Sequence, residues 1–296
     1  MAIDLRACLN AISDVVNNRP RPLRDFDQIF MKTADMLLQT EHVGRLFEGK
    51  QVVFIGDGDA IGLCLVHLHS QKLLEHGPKT VRVLDFDERV ILSIQGFAER
   101  FGISNRVSAE LYNVADALPQ KHWEQFDCFY TNPPFGASNK GKSIEAFLRR
   151  GIEAVRNDAI GCLVIADHAK HPWTRDVLFA TQRIVVQQGF MISELLPEFH
   201  HYHLDDDPDL TSCSMVIRRV EYHPSAYASK PLEPSMFPNF YGEGSHLQVR
   251  YIRDLTHGGK CPSRDYKIES LDNRGQGHER KCARRLHFYE SRQSRQ

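Results

Sequence analysis

Short apolar runs alternate with helix-length segments through the middle of the chain. Strand-length runs of apolar, β-branched or aromatic residues occupy 51–55, 81–85, 126–131 and 160–166. Segments of helix length occupy 60–76, 87–102, 142–157 and 173–188. Continuous apolar runs are typical of parallel strands buried on both faces, and their alternation with helices predicts a doubly wound sheet with right-handed crossovers. Later runs at 190–196 and 213–220 are expected to complete it with an antiparallel edge.

The two flanks of this alternating region have a different character. Residues 4–46 have mostly helical periodicity, interrupted at 17–22, where prolines and the residues before them resist helix formation. After about residue 222 the pattern fades into Pro-, Gly- and Tyr-containing sequence that ends in a mildly basic tail. We therefore expect an N-terminal helical segment at 1–48, a mostly parallel, Rossmann-like α/β domain at 49–222, and a C-terminal extension at 223–296.

The composition is that of a soluble globular protein. Of 296 residues, 42% are hydrophobic and 25% charged, and the formal net charge is −1, so no global basic field indicates a nucleic-acid partner. No segment approaches the roughly 18 unbroken apolar residues of a membrane span, and the first residues lack a signal-peptide cleavage site. The seven cysteines are an odd number, and Cys64 and Cys162 lie inside apolar runs, which is typical of reduced, buried thiols. These features predict a cytoplasmic protein without a membrane partner.

Glycines and acidic residues follow the first two predicted strands. Glycine at a strand-to-helix turn lets the backbone approach a ligand closely, and an acidic residue at the end of the next strand can accept hydrogen bonds from ribose hydroxyls. The alternatives are a glycine needed for the turn alone and, at Asp87 and Glu88, acids that complement the helix dipole. The residues predicted to bind an adenosine-type ligand are Gly56, Asp57, Gly58, Asp59, Asp85, Asp87 and Glu88.

A second motif follows the run 126–131, at the end of what would be the fourth strand. Two consecutive prolines, Pro133 and Pro134, stiffen the backbone and hold the Asn132 amide, which can accept a hydrogen bond from an amine. Phe135 offers a flat wall for a base or an alkyl chain. The alternative is an ordinary Asn-Pro turn. At the carboxyl edge of the sheet, beside a nucleotide crevice, the motif favours chemistry on an amine.

From residue 35 to about 220 the chain resembles the catalytic domain of the branched-chain polyamine synthases. The resemblance rests on the lead-in with Gln39 and Thr40, the segment 46–50, the acidic glycine loop, the segment 83–89, the Pro-Pro motif and the helix at 146–154. It implies an S-adenosylmethionine-type transferase fold, decarboxylated S-adenosylmethionine as donor and aminopropyl transfer to the secondary amine of a polyamine. The chain departs from the family pattern at Gly58 and Asn132, where the family has Asp, and we expect the family's N-terminal accessory domain to be absent or reduced to the short helices before residue 47.

The segment 132–148 is also similar to the motif block of ribosomal-RNA adenine methyltransferases, which grip the exocyclic amine of a flipped base. Both families present an amine to a sulfonium carbon, so methyl transfer from S-adenosylmethionine to adenine in RNA or DNA remains the alternative function. Nucleic acid would require cations, which Lys140, Lys142, Arg149, Arg150 and the basic tail could supply. A non-catalytic nucleotide-binding module is the second alternative, although it would not need an intact motif at 132–135.

Acidic residues favour the polycationic acceptor. Several carboxylates along a groove suit a polyamine, and acids in the glycine loop suit a donor without a carboxylate of its own. We expect Phe135, Asp205, Asp206 and Asp207 to bind the acceptor, although a charge run is usually a solvated loop. The expected mechanism is in-line displacement, with positioning as the main source of rate. The residues expected to take part in it are Asn132, Pro133, Pro134, Phe135, Asp57 and Asp59, with Asp57, Asp59 or Asp85 assisting deprotonation of the amine.

Two groups of histidines are candidate metal ligands. The histidines within 200–203 are better interpreted as polar residues of a loop over the site. In the tail, His257, Cys261, His278 and Cys282 are of types that zinc accepts, but their spacing is not that of a common zinc finger. No metal is therefore expected, and a homo-oligomer is compatible with the sequence.

Overall fold

The computed structural model describes residues 4–221, 229–256 and 266–271, and its centre is a seven-stranded sheet. The strands are β1 (Gln51–Ile55), β2 (Thr80–Asp85), β3 (Val107–Leu111), β4 (Phe126–Thr131), β5 (Val155–Ala166), β6 (Phe190–His201) and β7 (Thr211–Arg219). Their spatial order is β3-β2-β1-β4-β5-β7-β6. β1 to β5 are parallel, and β7 lies antiparallel between β5 and β6. The prediction of a mostly parallel, Rossmann-like α/β fold is confirmed.

Helices cover both faces of the sheet. They are α1 (Leu5–Asn18), α2 (Thr33–Leu46), α3 (Ile61–Ser70), α4 (Glu88–Arg100), α5 (Lys142–Ala154) and α6 (Pro172–Gln187). The two buried clusters alternate along each central strand: Val52 and Phe54 face α1 to α4, whereas Val53 and Ile55 face α5 and α6. Because both faces are covered, the strands are apolar at nearly every position, and this is why they were recognisable as continuous runs.

The N-terminal helices pack on α3, and α2 also contacts the sheet at β6. Cys8, Ile12 and Val15 lie on the buried stripe of α1, and Asp4 caps its first turn by accepting a hydrogen bond from the Ala7 N–H. After α1 the chain runs across the carboxyl edge of the sheet before α2 begins. The Lys32 N–H donates to the His201 carbonyl at 2.9 Å, which ties this crossing segment to the end of β6.

A C-terminal hairpin covers the same edge from the other side. Strands β8 (Val249–Asp254) and β9 (Tyr266–Ser270) pair antiparallel, and the Ile252 N–H donates to the Phe86 carbonyl at 3.0 Å. The buried Asn113 side chain donates to the carbonyls of Val249 and Arg250, which anchors β8 beside β3. The hairpin therefore docks against the β2–α4 side of the molecule.

No helix in the described ranges is long and apolar enough to cross a membrane.

Candidate active site

The glycine loop after β1 is held by its own acidic residues. Gly56 has φ +73°, in the left-handed region, and its N–H donates to the Leu84 carbonyl at 2.8 Å. The Asp57 carboxylate accepts the N–H groups of Ile61 and Gly62 at 2.8 and 2.9 Å, so it satisfies donors in the first turn of α3. Burial raises the pKa of Asp57 well above its usual range. Asp57 is thus part of the loop's construction.

Asp85, at the end of β2, links the loop to the adjacent strand. Its oxygens accept the N–H of Asp57 at 3.0 Å and of Asp87 at 2.9 Å. Burial raises the pKa of Asp85 to about 6, with a further contribution from the charge of Asp87. Asp85 therefore lies beside the glycine loop, as the adenosine-binding hypothesis requires.

Asp59 joins the loop to the second motif. Its Oδ2 accepts the Asn132 side-chain amide at 2.9 Å, and its Oδ1 accepts the Met31 N–H at 2.8 Å. The Arg19 guanidinium lies 3.5 Å from Oδ1 and stacks over the Phe30 ring at 3.8 Å from its centroid. Burial raises the pKa of Asp59, and the Arg19 charge opposes that rise. A carboxylate, an amide and a buried cation are thus assembled at one point.

A chain of hydrogen bonds determines the orientation of the Asn132 amide. His200 is fully buried and burial lowers its pKa to about 3, so the ring is neutral. Its Nε2 donates to Gln39 Oε1 at 2.9 Å, which leaves Nδ1 to accept from the Ser212 hydroxyl at 2.8 Å. Ser212 Oγ accepts from Tyr202 at 2.6 Å, and the Tyr202 oxygen accepts from Asn132. The amide NH₂ of Asn132 thus donates to Asp59 and to Tyr202. The amide oxygen is therefore the atom that Asn132 can offer to a ligand.

The glycine loop and the second motif line one open cavity, whose empty space is about 720 Å³ with the solvent at its mouth included. Its wall contains the predicted residues Gly56, Asp57, Gly58, Asp59, Asp85, Asn132, Pro133, Pro134 and Phe135. Two motifs that are some 75 positions apart meet here because the carboxyl ends of β1 and β4 are adjacent in the sheet.

The structure places the other two predicted adenosine ligands in structural roles. The Asp87 carboxylate caps α4 and binds the Arg89 side chain at 2.6 and 2.9 Å. The Glu88 carboxylate accepts from Arg253 at 3.1 Å and from the Asp254 N–H at 2.9 Å, so it secures β8. Neither side chain belongs to the cavity wall among the described residues.

The acidic run between β6 and β7 lies on the surface. Asp206 pairs with the exposed Arg24 at 3.3 Å, and Asp207 lies 3.3 Å from His171. Asp205 is exposed as well, and none of the three aspartates is among the described residues of the cavity wall.

The zinc candidates His257, Cys261, His278 and Cys282 lie outside the described residues. Within the described ranges, no group of three or more His, Cys, Asp or Glu side chains is arranged to hold a metal ion.

Sequence reasoning missed much of the cavity wall. The segment 26–30, between α1 and α2, contributes Phe26, Asp27 and Phe30. Phe147 from α5, Tyr202 after β6 and Tyr241 from the C-terminal extension complete the aromatic lining. The one sequence signal for 26–30 was the cluster of aromatic and acidic residues immediately after the proline-rich break.

The chain is similar to known proteins in sequence and in fold. The family model described as "Branched-chain polyamine synthase A C-terminal domain" matches residues 7–229. N(4)-bis(aminopropyl)spermidine synthase of Thermus thermophilus is 29% identical over 187 residues, covering 62% of this chain and 50% of the relative. The enzyme of the same name from Thermococcus kodakarensis is 26% identical over 197 residues, covering 66% and 52%.

Two further matches complete the comparison. An uncharacterised protein of Methanocaldococcus jannaschii is 30% identical over 155 residues, which cover 52% of this chain and 35% of that protein. The crystal structure of the Thermus thermophilus branched-chain polyamine synthase, in complex with N4-aminopropylspermidine and 5'-methylthioadenosine, superposes with a TM-score of 0.62 at 22% identity. The match covers 76% of this chain and 67% of that one, and it supports the fold.

The chain spans about half the length, or less, of the curated relatives that it matches. The family model nevertheless covers most of this chain, at residues 7–229. The chain therefore belongs to the branched-chain polyamine synthase family, in which it matches the C-terminal domain.

Proposed function

We propose that this chain transfers an aminopropyl group from decarboxylated S-adenosylmethionine to the secondary amine of a linear polyamine such as spermidine. The acidity of the cavity is the observation that carries the proposal. Asp27, Asp57, Asp59 and Asp85 all line it, and no Lys or Arg is among the described residues of its wall. Carboxyl groups in such a cavity favour a polycation and a donor whose only ionic groups are positive, because bound positive charges oppose the rise in carboxyl pKa that burial causes.

The loop 56–59 and Asp85 support the assignment of the adenosyl donor. Backbone at Gly56 can approach the ligand closely, while Asp85 lies where a ribose hydroxyl could be held. An ordinary S-adenosylmethionine carboxylate would meet the acidic side chains of this loop and be repelled. We therefore assign the decarboxylated donor.

Asn132 supports the assignment of the acceptor. Its amide oxygen is the group that the hydrogen-bond chain leaves for an amine, and Pro133 and Pro134 restrict how the motif can move. In the proposed reaction the neutral amine attacks the propyl carbon bound to sulfur, and the C–S electrons return to sulfur as the thioether leaves. Positioning supplies most of the rate, since a sulfonium is already a good leaving group.

The relatives support the same substrate class. Three of the curated matches are named N(4)-bis(aminopropyl)spermidine synthase, and the related crystal structure is described with N4-aminopropylspermidine and 5'-methylthioadenosine. The cytoplasm suits the chain, because Cys8, Cys64, Cys128, Cys162 and Cys213 are free and buried.

Methyl transfer to nucleic acid has less support. Arg150, one of the cations expected to contact nucleic acid, is fully buried and binds Glu153 and the Val114 carbonyl. It holds the interior together and presents no charge to a phosphate backbone.

The test compares the two donors on the purified chain. Calorimetric titration measures the affinity for S-adenosylmethionine and for its decarboxylated form, and mass spectrometry follows spermidine incubated with each. We expect tighter binding of the decarboxylated donor and a spermidine mass that grows by aminopropyl units. Tandem mass spectrometry then distinguishes a branch at the secondary amine from extension at a terminal amine.

A preference for the carboxylated donor, with spermidine unchanged, would contradict the proposal and favour methyl transfer to RNA or DNA. Binding of neither donor would favour a non-catalytic module.

A further inference from the structure

The four carboxylates of the cavity differ in how their oxygens are satisfied. Both oxygens of Asp57 accept backbone N–H groups of α3, and both oxygens of Asp85 accept backbone N–H groups. Asp59 accepts one backbone N–H and the Asn132 amide, and it is also paired with Arg19. Both oxygens of each of these three carboxylates already accept a hydrogen bond from the protein, so taking up a proton would disrupt existing hydrogen bonds.

Asp27 is different. Its Oδ2 accepts the Phe135 N–H at 3.3 Å, and no other donor among the described residues reaches its carboxylate. Arg24 is the cation that acts on it, and the Arg24 side chain is itself 47% exposed, so its charge is screened by solvent. One oxygen of Asp27 is therefore left to a ligand in the cavity.

The backbone conformation at Asp27 places its carboxylate beside the second motif. Asp27 has φ 56°, the left-handed conformation that ends the short 3₁₀ turn Arg24–Phe26. Aspartate is among the residues that tolerate this region best. Its bond to Phe135 ties it to the four-residue segment that carries Asn132. An amine held by the Asn132 oxygen thus lies in the same cavity as the one carboxylate that has a free oxygen.

We propose that Asp27 accepts the proton of the acceptor's reacting amine, a role that rests on the proposed aminopropyl transfer. The secondary ammonium gives one proton to the Asp27 carboxylate and becomes a neutral amine. The nitrogen lone pair then forms the new N–C bond while the C–S bond breaks, and its electron pair stays on the sulfur of the departing thioether. The product nitrogen is a tertiary ammonium, and the proton on Asp27 leaves to solvent when the product is released.

Burial brings the pKa of the Asp27 carboxyl and the pKa of the reacting ammonium closer together. It raises the pKa of Asp27 to about 6. The same desolvation lowers the pKa of an ammonium in the cavity, because burial disfavours every charged form. The proton transfer is therefore less uphill than it would be in water.

The experiment compares Asp27→Asn with Asp25→Asn, an identical change at an exposed position two residues earlier. Aminopropyl transfer to spermidine is measured as kcat/KM between pH 6 and 9, and donor affinity by calorimetry. At pH 7 we expect Asp27→Asn to lose about 100-fold in kcat/KM, within the range of general-base contributions. The loss should narrow toward pH 9, because solvent then supplies the neutral amine. Donor affinity and the Asp25→Asn variant should match the wild type.

Several results would overturn the role. The kcat/KM of Asp27→Asn could equal that of Asp25→Asn at every pH, or it could fall by the same factor at every pH. Its donor affinity could also fall in proportion to its kcat/KM. If Asp27→Asn does not fold, Asp27→Glu replaces it; that variant must keep the wild-type shape of the pH profile, and a steady rise of about tenfold per pH unit would count against the proposal. A wild type without aminopropyl transfer would remove the proposed function itself, which is a separate and recognisable outcome.

Discussion

Replacing Asn132 with Ala tests the assignment of the acceptor site most directly. The substitution removes the hydrogen bond to Asp59 Oδ2, which is 2.9 Å long, and the amide oxygen that faces the ligand. Asp59 keeps the Met31 N–H and the Arg19 charge, so the loop should retain its conformation. A hydrogen bond to a charged group contributes about 1.5–3 kcal/mol, and we expect a loss of that order in the free energy of unfolding.

Turnover should fall further than donor affinity. Loss of the group that positions the amine should lower the rate by about 100-fold, which corresponds to about 2.7 kcal/mol of activation free energy. In the proposed assignment the glycine loop and Asp85 hold the donor, so the donor affinity should change by less than about threefold, or about 0.7 kcal/mol. Single-turnover rates at saturating donor, calorimetry and thermal unfolding measure the three quantities.

Asn139→Ala is the matched control. Asn139 is buried in the same loop, bonds Ser143 at 3.2 Å and does not belong to the described cavity wall. It should lose stability while keeping the wild-type turnover. Equal losses of turnover and donor affinity in Asn132→Ala would refute the assignment of Asn132 to the acceptor.

Three further predictions concern the donor side of the site and the residues that support it. Gly56→Ala should destabilise the fold by about 1 kcal/mol and also weaken donor binding, since its Cβ would lie 3.1 Å from an aromatic ring of the cavity. Gly49→Ala is the control, because Gly49 has φ +67° with open space around it and its substitution should only destabilise the fold. Equal donor affinities of the two variants would contradict the role of Gly56. Arg19→Met removes the cation that opposes the raised pKa of Asp59, so its deficit in thermal stability should be smallest in acid below the folded-state pKa of that carboxyl, and grow as the pH rises through it; a deficit largest in acid would count against the pairing. Glu88→Gln should lower the unfolding temperature without changing donor affinity, because the Glu88 carboxylate binds β8. Weaker donor binding by this variant would instead support the ribose contact predicted for Glu88 from the sequence.

The strands that the apolar pattern located are those covered on both faces. β1, β2 and β4 coincide with the predicted runs to within one residue. β3 was missed because it is an edge strand of the sheet, and its mixed burial pattern breaks the apolar run. The helix predicted at 60–76 ends at Ser70, where the chain turns instead of continuing. β8 and β9 were missed because a two-stranded hairpin packed on a finished domain needs few apolar residues of its own.

Local pattern was sufficient to locate the central strands of the sheet and the two motifs at their carboxyl edge. Parallel strands with helical crossovers bring such ends together whatever the surrounding loops do. The acidic loop and the residues 132–135 could therefore be assigned to one site from the sequence alone.

Only the tertiary structure decided which carboxylate of the cavity has an oxygen without a protein donor among the described residues. Asp57 and Asp85 have the residue type of functional acids, yet their oxygens are bound by the backbone of the loop. Asp27 carried no motif and is 108 positions from its hydrogen-bond partner Phe135. Periodicity reports which face of an element is buried, whereas the saturation of a side chain depends on contacts between distant segments, and these exist only once the chain has folded.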